Sequence, residues 1–267
     1  MEFGVLGPLL MEDAGVSYLP TAPKQRQLLA LLLLNANKFV PTELCVKELW
    51  DENPPRTVIP TLQTYVLQLR RCLARSPTVG SLSAAHDRLM TGNSGYRLMV
   101  VSDRLDLTEF ETLARAGRAA QRSGDDRKAA DVLRGAVEIW RGPTLSDIDP
   151  GPCLRTQINR LEEARISLTE QRFDADLRLG YHQEILSELN AAAAENPLNE
   201  RLQTQYMLAL YRSGRQAQAL DLFHQLRKTL TDELGLEPSR PVRRLHEAIL
   251  TADPSLDLEP SSPAVFL

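Results

Sequence analysis

This 267-residue sequence has no apolar run long enough to cross a bilayer. The longest, residues 28–34, falls well short of the ~18–20 residues a spanning helix needs, and the first residues lack the basic-then-apolar layout of an export signal. A cytoplasmic protein that does not engage the membrane is expected. Cysteine is scarce: Cys45, Cys72 and Cys153 are odd in number, far apart and without a CxxC, which supports neither a disulfide framework nor a zinc cage. Buried thiols in a reducing compartment are the expectation. His86, His182, His224 and His246 show no metal-ligand spacing, and no Gly-x4-Gly-Lys-Ser/Thr loop is present to cradle a nucleotide. Gly92-Asn93-Ser94-Gly95 is one residue short of a nucleophile elbow, and carboxylate pairs such as Glu162-Glu163 sit in arginine-rich helical text, where a solvated charged face is the usual explanation. No metal, no cofactor and no enzyme activity are expected.

Composition is otherwise ordinary for a globular chain, with 43% hydrophobic and 25% charged residues, and the length allows two domains. The formal charge of −4 argues against a polyanionic partner until it is divided along the chain. Residues 1–101 hold ten Lys/Arg against eight Asp/Glu, whereas the remainder holds 21 against 27, so the two parts differ in sign. The segment 53–86 has no acidic residue and contains Arg56, Arg70, Arg71 and Arg75. It is the basic footprint of the chain.

Residues 2–10 and 16–19 read as short antiparallel strands around the polar turn Glu12-Asp13-Ala14-Gly15. Lys24 opens a leucine-rich, mostly buried helix that stops near Asn35-Ala36-Asn37, and a second helix runs from about Pro41-Thr42 to Trp50 before the Asn53-Pro54-Pro55 breaker. Over residues 56–75, Ile59, Leu62, Val66, Leu69 and Leu73 recur at intervals of 3, 4, 3 and 4, the stripe of a helix that packs on a core. The opposite side gathers Thr57, Thr61, Thr64, Gln68, Arg71 and Arg75, all hydrogen-bond donors and none acidic. Residues 88–91 and 96–100 then flank Gly92-Asn93-Ser94-Gly95 as a hairpin. Strands, three helices and a closing hairpin make an α+β winged helix-turn-helix, with the third helix shaped for the major groove of double-stranded DNA. Short hydroxyl, amide and guanidinium groups reach base edges without a carboxylate repelling phosphates. Arg71 and Gln68 are therefore expected at base edges, Thr57, Thr61 and Thr64 at bases and phosphates, and Arg56, Arg70 and Arg75 at phosphates. Asn93, Ser94 and Arg97 are the wing candidates.

After Val101 the text turns Ala-, Leu-, Arg- and Glu-rich and helical to about Ala252. Gly180 and Gly214 lie 34 residues apart, a spacing kept by Leu186 with Leu220 and by Leu189 with Phe223, and Gly124 with Leu133 marks an earlier unit. That is the period of tetratricopeptide-like helix pairs. The division expected is a winged helix over 1–101, an all-α repeat domain over 102–252, and a Pro- and Ser-rich tail without structure over 253–267.

Val5-Leu6-Gly7-Pro8-Leu9, Arg26-Gln27-Leu28-Leu29-Ala30-Leu31-Leu32, Glu48-Leu49-Trp50, Pro54-Pro55, Thr61-Leu62-Gln63-Thr64-Tyr65-Val66 and Leu69-Arg70-Arg71 together resemble the Streptomyces antibiotic regulatory protein family, whose winged helix is of the response-regulator effector type. Asp106-Leu107 with Phe110, Trp140-Arg141-Gly142-Pro143, and Ala209-Leu210-Tyr211-Arg212-Ser213-Gly214-Arg215-Gln216-Ala217 resemble its bacterial transcriptional activation domain. The likeness covers about residues 3–250. It implies an activator of secondary-metabolite genes that binds direct repeats near the −35 region and recruits RNA polymerase with its principal sigma factor. It places the DNA-reading helix on 56–75 and the wing on 88–97, and two protomers are expected side by side on tandem repeats. With the winged helix starting at once and no nucleotide loop, neither receiver phosphorylation nor ATP hydrolysis is the expected switch. The rivals are an interaction scaffold whose winged helix binds protein and a repressor occupying the same DNA.

Overall fold

A computed structural model describes residues 1–100 and 104–257. The chain divides by packing into two compact units, one of residues 1–115 with 135–167, the other of 116–134 with 168–267. The first unit opens with β1 (Glu2–Gly4), β2 (Leu10–Asp13) and β3 (Val16–Ser17), followed by α1 (Pro23–Leu34), β4 (Val40–Pro41), α2 (Thr42–Trp50), α3 (Val58–Ala74) and α4 (Leu82–Arg88). The hairpin β5 (Leu89–Gly92) and β6 (Gly95–Leu98) completes the winged helix, and β7 (Arg104–Leu105) leads into α5 (Asp106–Arg122), α6 (Asp126–Glu138) and α7 (Pro152–Arg178). One sheet runs β3-β2-β1-β7, with Glu2 opposite Glu12 and, in parallel register, Arg104; the other runs β4-β6-β5, with Val40 opposite Tyr96 and Leu89 opposite Leu98.

Helix α1 starts at Pro23, whose fixed φ suits a first helical position, and residues 28–33 are buried on every side. It is the central rod against which α2 and α3 pack. Helix α2 stops where Asp51 takes a φ of 51°, and the two prolines that follow cannot continue it. In α3, Leu62, Val66, Leu69 and Leu73 are at most 2% exposed, as the stripe requires. Ile59 departs from it at 43% exposed, because the first turn of α3 runs beyond the core and leaves that side chain beside Val46 and Val58 at the surface. The text between α3 and the hairpin, unassigned by periodicity, contains α4; Ser81 caps it by accepting from the Ala84 amide at 3.1 Å.

The strand expected over residues 2–10 is broken after Gly4. Val5, Leu6 and Leu9 are buried, yet their amides bond to side chains rather than to a strand. Asp106 accepts from the Val5 and Leu6 amides at 2.9 Å, Asp147 accepts from Leu9 at 2.8 Å, and Leu145 donates to the Gly7 carbonyl at 2.7 Å. Gly7, at φ 139°, turns the chain where a Cβ would press on Arg141.

The second unit is helical. Beyond the ends of α5, α6 and α7 it contains α8 (Leu186–Glu195), α9 (Glu200–Arg212), α10 (Gln216–Leu234) and α11 (Arg240–Leu250). Gly124, Gly180 and Gly214 all take left-handed φ, 76°, 85° and 73°, and each sits in the same turn. The following amide reaches back five residues, Asp125 to Ala120, Tyr181 to Asp176 and Arg215 to Leu210, at 2.9–3.0 Å. Of the tail expected from residue 253, Asp253–Asp257 is ordered: Pro254–Leu256 form one 3-10 turn, and the Leu256 carbonyl accepts from Arg212 Nε at 2.7 Å. The remainder of that expectation, residues 258–267, lies outside the described residues.

Candidate nucleic-acid interface

Helix α3 carries the site. Pro60 lies in its first turn, where no intrahelical donor is needed, and its buried stripe fixes its rotation, turning the polar residues outward. Arg56, Thr57, Thr64, Arg71 and Arg75 are exposed; Thr61 and Gln68 are half-buried at the flank. Thr61 Oγ1 donates to the Thr57 carbonyl at 2.8 Å and Thr64 Oγ1 to that of Pro60 at 2.9 Å. Both hydroxyl protons are thus taken up by the helix's own backbone, which leaves each oxygen to act as an acceptor, the role that the exocyclic amines of adenine and cytosine require; Thr61 Oγ1 also lies 3.5 Å from Thr57 Oγ1. Among the described residues, the side chains of Gln68 and Arg71 hold no hydrogen bond, which leaves amide and guanidinium available.

Arg70 is the exception to the sequence expectation of phosphate contact. One residue before Arg71 and about 100° around the helix, it is 8% exposed and faces the hairpin. Its guanidinium donates to the Leu89 carbonyl at 2.9 and 2.6 Å and to Thr91 Oγ1 at 2.8 Å, and burial pulls its pKa below the usual arginine value. Arg70 is the strut between reading helix and wing. Trp50 stacks on Tyr65, with centroids 6.0 Å apart, and ties the end of α2 to the same helix.

In the wing, Asn93 and Ser94 are exposed at the tip, and the Ser94 carbonyl accepts from the Thr42 amide at 2.9 Å. Arg97 lies back from the tip on β6. Its guanidinium rests on the Phe39 ring at 4.6 Å and its Nη2 lies 3.3 Å from Met90 Sδ. A Cβ at Gly95 would collide with the Val40 carbonyl oxygen, so the strand crossing tolerates only glycine there. Two exposed residues escaped the sequence reading: Phe39, which supports Arg97, and Leu67, 38% exposed on α3 one turn from Arg71. Leu67 was legible as the one leucine of this helix outside the stripe.

Cys45 is buried, and desolvation lifts its thiol to about 12; burial also raises Cys72 and Cys153. None is poised as a nucleophile at neutral pH. No helix among the described residues is long and apolar enough to cross a membrane.

Residues 105–250 match the bacterial transcriptional activator domain, and residues 17–83 match the C-terminal domain of transcriptional regulatory proteins. The chain is 42% identical to the regulatory protein DnrI of Streptomyces peucetius, over 99% of its own length and 97% of that protein's. It belongs to the Streptomyces antibiotic regulatory protein family. This family member is also 40% identical to the regulatory protein AfsR of Streptomyces coelicolor, spanning 25% of that longer protein. Its fold matches a solved structure, Mycobacterium tuberculosis EmbR in complex with a low-affinity phosphopeptide, at a TM-score of 0.85 and 32% identity, covering 94% of this chain and 65% of that one. As a member of the family it is a DNA-binding transcriptional activator, with a winged helix-turn-helix followed by a helical activator domain.

Proposed function

We propose that this protein switches on a cluster of secondary-metabolite genes from the cytoplasm. Residues 1–101 read direct repeats near the −35 region, and residues 102–252 bring RNA polymerase with its principal sigma factor to the promoter. Two protomers lie on tandem repeats about one helical turn apart, roughly 10–11 base pairs, and contact each other there. The observation that carries this reading is the outward face of α3: open to solvent apart from the half-buried Thr61 and Gln68, free of acid, and fixed in rotation by Leu62, Val66, Leu69 and Leu73, each buried to 2% or less.

Arg71 and Gln68 read base edges, and Thr61 and Thr64 accept from base amines, with Leu67 available to a thymine methyl group. Thr57, Arg56 and Arg75 hold phosphates, and Asn93 and Arg97 touch the backbone or minor groove beside the wing. The chemistry separates the roles. Arg75→Ala is expected to weaken all sequences alike and lower the salt slope by roughly 0.9, the counterion released at one phosphate. Arg71→Ala is expected to lose about 1–3 kcal/mol at one base position and relax preference there. A gel-shift series over salt and over single-base variants of the promoter distinguishes them; two mutants that bind like the wild type would remove α3 from the interface.

A further inference from the structure

The motif Glu48-Leu49-Trp50 places one carboxylate where reading DNA does not need it. Glu48 is 2% exposed, on the side of α2 away from solvent, and its acceptors are filled by donors from two distant segments. Oε1 accepts from Gln27 Nε2 at 2.9 Å and from the Gly151 amide at 2.7 Å; Oε2 accepts from the amides of Cys153 and Leu154, both at 2.9 Å. Those three amides are the opening of α7. A helix start leaves its first N–H groups without partners, and a Ser, Thr, Asp or Asn side chain at the N-cap normally accepts from them. Here Gly151 stands in that place, between two prolines, and can offer nothing. The cap comes instead from a helix more than 100 residues earlier. The approach is close enough that a Cβ on Gly151 would collide with the Glu48 carbonyl oxygen.

Two carboxylates of the activator domain make the converse contact, accepting from amides of the winged helix. Asp106 takes the amides of Val5 and Leu6, and Asp147 takes that of Leu9 and pairs with Arg26 on α1. Each of these contacts lies within the first compact unit. Glu48 differs in joining α7 to α2, the helix packed against the DNA-reading α3, without itself reaching the outward face of α3. We infer that Glu48 is a positioning residue for activation: its buried cap fixes the start of α7 on the helix-turn-helix, and transcription needs that hold while promoter binding does not.

The inference rests on the proposed activation of a promoter, and the test keeps the two apart. Wild type, Glu48→Gln and Gly151→Ala are compared for promoter affinity by footprinting and for run-off transcription with purified polymerase at saturating promoter occupancy. Glutamine keeps the shape and one acceptor but, whichever way its amide turns, sets its own NH2 against N–H donors; alanine at 151 pushes the same contact apart from the side of α7. Both variants are expected to bind the promoter within about twofold of wild type while transcript falls roughly tenfold, and the Cys153 and Leu154 amides are expected to exchange with solvent faster. Wild-type transcript from either variant at equal occupancy overturns the inference. So does parallel loss of binding and transcript in both, because the cap would then serve the fold as a whole. A wild-type protein that binds but does not activate would instead defeat the proposed function.

Discussion

Asp13 ends β2, and its carboxylate accepts from the Ser76 hydroxyl and, at 3.0 Å, from the Thr78 amide in the turn that leaves α3. These bonds hold its pKa down to about 2, below the ordinary value of 3.8. A carboxyl depressed in the folded state stabilises the fold above its unfolded pKa and loses that contribution as pH falls through the folded one. Asp13 should therefore contribute fully above about pH 4 and progressively less toward pH 2. In Asp13→Asn, melting temperature followed over that range should fall less steeply with acid than in the wild type; an unchanged acid limb would mean that the bonds are absent in solution. Arg70 gives a second expectation at this scale. Arg70→Ala leaves the Leu89 carbonyl without its donor, at about 1–3 kcal/mol of stability, and should leave the salt slope of DNA binding unchanged, unlike Arg75→Ala. Arg70 and Arg71 are alike in sequence, and hydrophobic periodicity ranks both as polar. What separates them is a strand carbonyl 19 residues downstream, which no helical wheel contains.

At the scale of elements, periodicity located what is long and what is regular. The leucines of α1, the stripe of α3 and the two-stranded wing all lie where the text put them, because burial on one face leaves a repeat that can be counted. Ile59 joined the stripe in sequence but not in space, since a wheel has no record of where the neighbouring core ends. Helix α4, only seven residues long, carries too few turns to show a period and is marked only by its Ser81 cap. The spacing of Gly180 and Gly214 translated directly into geometry, because a left-handed residue and a reach-back bond are what close a helix at a tight turn. At Gly124 and Gly214 the space a Cβ would occupy is open, so alanine there meets conformational strain and no clash. Gly124→Ala and Gly214→Ala should each destabilise by about 1 kcal/mol, equally and additively, in denaturant titrations. Markedly unequal shifts would show that the two turns are not equivalent parts of a repeat.

For the molecule as a whole, the change in the character of the text at Val101 and the division by packing describe different properties, the kind of sequence and the cohesion of the fold. The acceptors for the Val5, Leu6 and Leu9 amides come from Asp106 and Asp147, and α7 begins under Glu48. The motifs Val5-Leu6-Gly7-Pro8-Leu9 and Trp140-Arg141-Gly142-Pro143 are thereby two halves of one contact: Arg141 donates its amide to the Leu6 carbonyl at 2.8 Å and its Nη1 to that of Pro8 at 2.9 Å. Sequence shows such motifs as separate islands, since nothing local signals that one loop supplies the acceptors of another. A fragment ending at residue 101 would retain α3 and the wing but expose Leu6 and Leu9, now at most 3% accessible, and leave three amides without protein acceptors. At about 1 kcal/mol for each lost bond, and roughly 4–8 °C of melting temperature per kcal/mol in a domain of that size, it should melt at least ~10 °C below the full chain. Its Val5, Leu6 and Leu9 amides should exchange freely with solvent. Calorimetry of the fragment beside the intact protein measures the first, and amide exchange the second. A fragment that melts with the full chain and keeps those amides protected would show that the winged helix folds without the carboxylates that follow it.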